Sequence, residues 1–504
     1  MDLRNDPRVA LVRERPAYSR TAPYSPSEPY PEWPHAEVSR EDNPAYRGIR
    51  QLLRHLGMDA ARYDTPDWNP LGTIIVPGNT VILKPNLVSH RNMGRRMYGL
   101  TDTDSLVTHG SVIRAVLDYT AKALQGRGTI IVGDCPVQGT EWQEVIALVC
   151  LDRTADYFRA AFPGIELQVH DFRLGRAIRW GNTVVKRIVD EEARADYQEV
   201  DLKRESMLLP LMQGDYAFGV SDYPRHRMRA AHTPETNNYL YPKAFLRADV
   251  MINLPKMKTH MKAGLTCAMK NFVGANGHKD YLPHFRFGSP QQGGDEFPDG
   301  SALWRLLWFF MHKAWDLEGG KMKLAYIALA RVCALLLRFV PNTPRPVWAL
   351  GSGSWYGNDT LWRMVLDINR AYFYCDPVTM QVDRTFSTKR RYLAILDGLI
   401  GGQRESPLAP TPIESGLLLA AHNPLALDTV AASLMGFDYR KIPQLFQGYA
   451  PHALPLAHFG PEAIRILGET PFCGLEDLTR TRDFTPFEAS KGFRGHIERD
   501  NSAK

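Results

Sequence analysis

The sequence predicts an α/β protein with a mostly parallel sheet, helices on its flanks and a helical hairpin inserted into the chain. Short apolar runs typical of buried strands, such as 80–83, 128–132 and 250–254, alternate with amphipathic helical patterns. Several of these runs end in a polar cluster, and open α/β sheets place ligands at the carboxyl ends of their strands. Residues 302–317 and 324–340 form two nearly apolar helical patterns separated by two glycines, which predicts the hairpin.

Composition indicates a globular protein without a nucleic-acid partner. The 504 residues are 44% hydrophobic and 23% charged, and the net charge of +6 is small for this length. No nucleic-acid-binding motif occurs. The six cysteines are widely spaced without a C-x-x-C pair, which argues against an iron–sulfur cluster or a structural zinc site and fits a reducing compartment. The N-terminus has no apolar core of the signal-peptide type, so we expect a cytoplasmic protein.

The chain divides into five predicted parts. Residues 1–69 form a strand, a Pro-rich strap and a helix. Residues 70–300 form an α/β core with a polar insertion at about 180–235. The hairpin occupies 301–350, the second part of the α/β core occupies 351–483, and a loose tail follows at 484–504. Within the second part, residues 399–416 are rich in Gly and Pro and are predicted to form a loop.

A cationic segment at residues 249–280 is the strongest functional signal. After the apolar run, basic and titratable residues follow one another and no Asp or Glu lies between Val250 and Lys279. A solvated surface normally mixes both charge signs, so this pattern indicates an anionic partner. A basic surface loop is the alternative interpretation. The residues concerned are Lys256, Lys258, His260, Lys262, Lys270, His278 and Lys279.

Polar residues at four strand ends are predicted to share one edge of the sheet. Asn86 follows the second strand, Asp134 ends the third, Pro255 ends the apolar run of the cationic segment, and Asp397 closes the strand at 392–396. Thr108 is predicted to cap a helix whose first turn contains His109, where free N–H groups can meet an anion. For both His109 and Asp134, a role in capping or packing is an alternative to a catalytic one.

Seven motifs occur in an order that resembles the bacterial and archaeal family known as domain of unknown function 362. The motifs are LKPNLV at 83–88, THGSVIRAV at 108–116, VGD at 132–134, DVMINLPKMKTH at 249–260, AMKNFVG at 268–274, ILDGLIGG at 395–402 and LALDTVAASLMG at 425–436. The resemblance covers about residues 70–440, and the middle insertion is similar to that of the family's larger members, which occur near surface-polysaccharide genes. Some members carry a ferredoxin-like cysteine-rich tail, which this chain lacks. The family's chemistry is not settled, so the resemblance implies no reaction.

The sequence favours an enzyme that acts on a small anion, a carboxylate or a phosphate, without identifying a cofactor. We expect His260 or His109 to transfer a proton, and Asp134 and Asp397 to orient a histidine or hold a divalent cation. The predicted substrate-binding residues are Lys84, Asn86, Lys256, Lys258, Lys270, Asn271 and Asp397. For His260, a buried, hydrogen-bonded structural role is the alternative. A metal-dependent enzyme would instead need His109, Asp134, His260 and Asp397 to converge in space.

The predicted hairpin has two interpretations. The hairpin region is basic and bears tryptophans, but neither helix has an uncharged run of about 20 residues, as a bilayer-spanning helix requires. Such a hairpin can lie in a membrane interface, which would place the protein peripherally at the inner face of the membrane. It can equally be buried or form a homodimer through residues 302–340. The first interpretation allows a second function, a non-catalytic protein that binds an anionic glycan, lipid or nucleotide and is linked to surface-polysaccharide formation.

Overall fold

A ten-stranded sheet organises the molecule, which is known here from a computed structural model. The structure describes residues 2–500 except 34–36, 96–98, 100–101, 181–182, 215, 299, 318, 341–349, 386–389, 470–471 and 482. The mixed α/β architecture with a mostly parallel central sheet confirms the predicted fold class.

Sixteen strands occur in the described residues. They are β1 (Arg8–Arg13), β2 (Thr80–Pro85), β3 (Gly128–Asp134), β4 (Ile165–Asp171), β5 (Gly175–Trp180), β6 (Thr183–Val189), β7 (Tyr197–Asp201), β8 (Phe218–Gly219), β9 (Asn238–Pro242), β10 (Val250–Leu254), β11 (Lys256–His260), β12 (Gly264–Thr266), β13 (Phe285–Arg286), β14 (Arg391–Glu405), β15 (Ala409–Ala421) and β16 (Arg465–Leu467).

Thirteen α-helices occur in the same residues. They are α1 (Pro44–His55), α2 (Gly110–Leu124), α3 (Trp142–Leu148), α4 (Leu151–Ala161), α5 (Arg225–Ala231), α6 (Lys243–Arg247), α7 (Ala268–Asn271), α8 (Ala302–Trp315), α9 (Lys321–Leu336), α10 (Leu361–Tyr374), α11 (Pro424–Leu434), α12 (Pro443–Phe446) and α13 (Leu475–Arg480).

The strand order of the central sheet is β16-β1-β15-β14-β10-β2-β3-β4, with β11 and β12 extending it beside β14. Strands β14, β10, β2, β3 and β4 run parallel to one another, whereas β15 is antiparallel to both β1 and β14. The carboxyl ends of β10, β2 and β3 therefore meet at one edge, and Asp397 of β14 pairs with Lys256 just beyond β10. The prediction that Asn86, Asp134 and Pro255 follow or end strands at one edge is confirmed. Asp397 lies level with them, but the prediction that it closes its strand was wrong, because β14 continues to Glu405 beside β15.

Helices cover both faces of the sheet, which is why its central strands are apolar on both sides. Along β10, Met251 packs into one hydrophobic core, whereas Val250 and Ile252 pack into the other. The first core includes residues of α7, α10 and α11, and the second includes residues of α1, α2 and α4. Alternating burial into two cores is the expected consequence of a strand whose side chains point to opposite faces.

Three expectations about local structure were wrong. The chain does not leave the sheet after Pro255, because residues 256–260 form β11. The predicted loop at 399–416 consists mainly of the paired strands β14 and β15, because an antiparallel partner satisfies backbone groups that the Gly and Pro content suggested were unpaired. Residues 484–500, predicted to be loose, place Phe487, Phe493 and Ile497 in the core.

The predicted hairpin is present as α8 and α9, which pack against each other. A small separate core forms beneath it, where Trp304, Trp308 and Trp315 contact Phe285 and Phe297. No helix in the described part of the chain is long and apolar enough to cross a membrane.

Candidate functional site

An ion pair between Lys84 and Asp134 joins the carboxyl ends of β2 and β3. Lys84 Nζ lies 2.6 Å from Asp134 Oδ1, and both side chains are buried. The other carboxylate oxygen accepts a hydrogen bond from the Leu87 N–H, and Oδ1 also accepts one from the Cys135 N–H. Gly274 packs on this pair so closely that a Cβ there would lie 2.2 Å from Asp134 Oδ1. Asp134 is therefore held firmly, with little freedom to orient a histidine.

A second buried ion pair lies within β14, which continues past Asp397 to Glu405. Lys256 Nζ is 3.0 Å from Asp397 Oδ2, and both residues are fully buried. The Tyr18 hydroxyl donates a short hydrogen bond to Asp397 and accepts one from Lys256 Nζ at 2.6 Å. The backbone N–H of His109 also donates to Asp397 Oδ2, at 3.0 Å. Each charge in this group has a protein partner, so the group stabilises the edge of the sheet.

His109 belongs to the same buried group as Lys256, Asp397 and Tyr18. Its ring stacks on Tyr18 with 4.1 Å between centroids, and its Nδ1 accepts a hydrogen bond from the Ser111 N–H at the start of α2. His109, and not Thr108, is therefore the N-cap of the helix. Thr108 instead donates to the Leu254 carbonyl and accepts from the Asn86 N–H, which ties β10 to the end of β2. Burial lowers the pKa of His109 to about 3, so its imidazole is neutral at physiological pH.

Lys258 is also buried and does not line the cavity described below. Its ammonium group donates to the Leu106 carbonyl at 2.6 Å and to Asn86 Oδ1 at 3.3 Å. Burial, and then the ammonium groups of Lys256 and Lys270, lower the pKa of Lys258 to about 7. Lys258 thus supports Asn86, and the interpretation of the cationic segment as a solvated surface loop was wrong because Lys256 and Lys258 are fully buried.

A cavity of about 1460 Å³ lies beside these buried ion pairs and Lys258. Five of the ten candidate residues line it: Asn86, Asp134, His260, Lys270 and Asn271. The other five, Lys84, His109, Lys256, Lys258 and Asp397, are not part of its wall. The structure thus separates the candidates into a wall that a ligand can reach and a support that holds the wall.

Lys270 lies on the wall, in the short helix α7. Its side chain is only 8% exposed, and no hydrogen bond or ion pair to it occurs among the described residues. Burial, and then the charges of Lys262 and Lys279, lower the pKa of Lys270 to about 7. A buried ammonium without a counterion is costly, and a bound anion would remove that cost.

The backbone beneath Lys270 is rigidly held. The Asp428 carboxylate accepts hydrogen bonds from the Ala268 and Met269 N–H groups at 2.7 and 2.9 Å. The Asn271 amide donates to Asn253 Oδ1 at 2.7 Å and to the Lys84 carbonyl at 3.2 Å. Asn271 therefore connects α7 to β10 and β2, and this connection fixes the position of Lys270.

His260 ends β11 on the same wall. Its Nδ1 accepts a hydrogen bond from the Lys262 N–H at 3.0 Å, which fixes the ring in the segment that turns back towards β12. Burial lowers the pKa of His260 well below its usual range, and the nearby ammonium groups of Lys270 and Lys262 lower it further. The ring is therefore neutral at physiological pH.

Three basic or titratable residues of the cavity wall that bear on the anion site, Lys262, Lys279 and His284, were not part of the predicted site. Lys262 and Lys279 were visible in the cationic segment, whereas no local pattern pointed to His284. Lys262 Nζ contacts the Ser221 hydroxyl at 3.2 Å, and burial, followed by the charge of Lys279, lowers the pKa of Lys262 to about 7. His284 reaches the cavity from the chain after the segment, so only the fold brings it there.

The four residues proposed for a metal site do not form one cluster. Asp134 pairs with Lys84, Asp397 pairs with Lys256, and the rings of His109 and His260 lie in different layers. Among the residues that the structure describes, no group of three or more His, Cys, Asp or Glu side chains is placed to hold a metal ion.

The family model described as "Domain of unknown function (DUF362)" matches residues 217–433. The chain resembles the DUF362 family. The match extends from the residue before β8 to the penultimate residue of α11 and includes the whole cationic segment, the hairpin and β14 with β15. This finding confirms the resemblance that the motifs indicated, whereas β2, α2 and β3 lie outside the matched residues.

A crystal structure of a protein from Thermotoga maritima has 9% sequence identity and a TM-score of 0.31, and the alignment covers 77% of this chain. It covers 58% of the Thermotoga protein, so the chain spans less than two thirds of that protein's length. No curated protein matches the chain.

Proposed function

We propose that the cavity binds a small anionic molecule, a carboxylate or a phosphate, and that the protein is an enzyme acting on it. The observation that carries this proposal is Lys270, a residue that lines the cavity, is only 8% exposed and has no anionic partner among the described residues. Lys262 and Lys279 add positive charge to the same wall. An anion would supply the counterion that the protein itself does not provide at this position.

The nearby carboxylates are already paired, so the lysines of the cavity wall keep their positive charge. Asp134 and Asp397 lie close to the site, yet each already pairs with its own lysine, Lys84 or Lys256. Neither carboxylate is therefore available to neutralise Lys270. The remaining acids on the wall are Glu141 and Asp222, against six lysines and arginines, so the cavity keeps a positive character that attracts anions.

Calorimetric titration with inorganic phosphate, sulfate and citrate tests this function. We expect wild type to bind at least one of these probes at pH 7. We expect Lys270→Gln to bind it about 10- to 100-fold more weakly, because a hydrogen bond to a charged group contributes about 1.5–3 kcal/mol. Lys441→Gln is the matched control, since it removes one lysine charge from a partly exposed pair with Asp500, outside the cavity. Equal affinity in wild type and Lys270→Gln would refute the proposal.

We also propose that the hairpin places the protein on an anionic membrane surface. Nine of the seventeen exposed large hydrophobic side chains among the described residues lie within residues 306–339, and Phe339 is 82% exposed. Basic side chains stand among them, whereas Asp316 is the one acid described there. The apolar side chains are Leu306, Phe309, Met322, Leu324, Leu329, Val332, Leu335, Leu336 and Phe339. The basic ones are Arg305, Lys313, Lys321, Arg331 and Arg338.

A mixed apolar and basic surface matches the chemistry of an anionic lipid interface, where apolar side chains enter the acyl boundary and cations meet headgroups. Such an extended apolar face is uncommon on a protein that stays monomeric in water. The charge pattern favours lipid over a second copy of the chain, because two copies of this face would bring like charges together.

Co-sedimentation with vesicles tests this placement. We expect wild type to pellet with vesicles that contain phosphatidylglycerol and to stay in solution with pure phosphatidylcholine. Phe309→Asp with Phe339→Asp should remain in solution, because each buried aromatic side chain contributes about 1.5–3 kcal/mol. Phe446→Asp is the control, because Phe446 is as exposed as Phe309 and lies outside the hairpin. A concentration-dependent dimer that the double variant abolishes, without vesicle binding, would overturn the proposal.

A further inference from the structure

Two histidines on the cavity wall are held in opposite tautomers. His284 Nδ1 lies 2.7 Å from the Leu282 carbonyl oxygen, which can only accept, so Nδ1 carries the proton. In a neutral imidazole the other nitrogen then has a free lone pair. His284 therefore has a proton-accepting Nε2, and no hydrogen bond to this atom occurs among the described residues.

His260 has the complementary arrangement. Its Nδ1 accepts the Lys262 N–H, so the lone pair of Nδ1 is occupied and the proton of the neutral ring lies on Nε2. No hydrogen bond from Nε2 occurs among the described residues. His260 is therefore a hydrogen-bond donor towards a ligand, and a proton acceptor only after a change of tautomer.

The backbone of His284 is fixed on both sides. Its N–H donates to the Gly219 carbonyl at 2.8 Å, and its own carbonyl accepts the Asn358 amide at 2.9 Å. Together with the bond to Leu282, these contacts fix the ring in one orientation. This is the pre-organisation that a proton-transfer group requires.

From this geometry we infer that His284 is the general base of the site, with His260 Nε2–H and the Lys270 ammonium stabilising the anion that its action produces. The substrate class is an anion with an acidic O–H or C–H bond beside its charged group. That bond breaks, a new N–H bond forms at His284 Nε2, and the electron pair stays on the substrate oxygen or carbon. The inference rests on the proposed anion site and assigns to His284 the proton transfer that the sequence predicted for His260 or His109.

The charge around His284 links substrate binding to its basicity. Burial, and then the ammonium groups of Lys262 and Lys270, lower the pKa of His284 well below its usual range. An anion bound beside these lysines offsets their charge and removes part of this effect. The pKa of His284 then rises, so His284 becomes a stronger base when a substrate is present.

Histidine acylation by diethyl pyrocarbonate tests the inference without knowledge of the substrate, because the reagent attacks a ring nitrogen with a free lone pair. In full-length wild type at pH 7, peptide mass mapping should show acylation of His284 and sparing of His260. The exposed His496 reports reagent activity in every sample. Sulfate at about ten times its dissociation constant should slow the labelling of His284 about tenfold, since the site is then about nine-tenths occupied.

The outcomes separate the two proposals. Labelling of His284 that sulfate does not slow would contradict the anion site and leave the assigned tautomer supported. Labelling of His260 at the rate of His284 would overturn the inference. Nitrogen-15 NMR of labelled histidine decides the case in which the reagent reaches neither ring. We expect an Nδ1–H signature for His284, lost in His284→Gln, and an Nε2–H signature for His260; an Nε2–H signature for His284 would overturn the inference.

Discussion

Replacing Lys256 with methionine is expected to lower the free energy of unfolding by about 3–5 kcal/mol, because it leaves a buried charge without a partner. Lys256 is the cation for Asp397, and neither side chain has access to water. Asp397 keeps hydrogen bonds from Tyr18 and from the His109 N–H, but these neutral donors do not replace an ammonium. Urea denaturation followed by circular dichroism measures the loss.

Lys258→Met is the matched control, two residues further along the same strand. Lys258 is equally buried, but its partners are the neutral Leu106 carbonyl and Asn86 amide. Its pKa of about 7 means that above this pH the folded protein mostly holds it neutral. At pH 8 we expect a loss of no more than about 1–2 kcal/mol, the cost of one buried hydrogen bond. The substitution also removes a lysine that must lose its proton on folding, and this offsets part of that loss. Equal losses in the two variants would contradict the assignment of Lys256 and Asp397 as the pair that holds the sheet edge.

Sulfate affinity is expected to fall steeply as the pH rises above about 7. A lysine with a pKa lowered to about 7 is charged below that pH and neutral above it, and Lys262 and Lys270 both have such values. Sulfate stays a dianion throughout, so the titration belongs to the protein. The dissociation constant should rise about tenfold per pH unit for each lysine that must be protonated. Calorimetry at pH 6, 7, 8 and 9 measures the slope.

Two substitutions at position 270 sharpen this prediction. Lys270→Arg keeps a permanent charge, so it should retain affinity at high pH and show a shallower slope than wild type. Lys270→Gln should be weaker at pH 6 and also shallower, because of the two lysines on the cavity wall only Lys262 then titrates. A slope that is identical in all three proteins would show that another group controls binding.

The main strands of the sheet could be predicted from local sequence patterns. The apolar runs at 80–83, 128–132 and 250–254 became β2, β3 and β10, because strands buried between two helical layers must be apolar on both faces. Parallel pairing then placed Asn86, Asp134 and Asp397 at one edge. The strands in 256–260 and 399–416 were not predicted. Their basic, glycine and proline residues do not form a pattern typical of a strand, and it is pairing with a partner strand that holds them in the sheet.

The candidate site was predicted as one set of ten residues, whereas the structure divides it into two layers. A sequence pattern shows that Lys256, Lys258 and Lys270 are basic, but not which of them has a carboxylate opposite. Asp397 is 141 residues away from Lys256, and it meets that lysine only because β14 pairs with β11. Lys270 has no such neighbour among the described residues, and this difference distinguishes it from the paired lysines that support the cavity wall.

The sequence by itself determined the α/β class, the shared strand edge and the concentration of positive charge in residues 249–280, because strand periodicity and charge are local properties. Only the tertiary structure decided which charges are paired, which ring nitrogens carry protons and that His284 reaches the cavity. Those properties depend on distances between residues far apart in the chain. A lysine held by a carboxylate and a lysine available to a ligand are the same letter in a sequence.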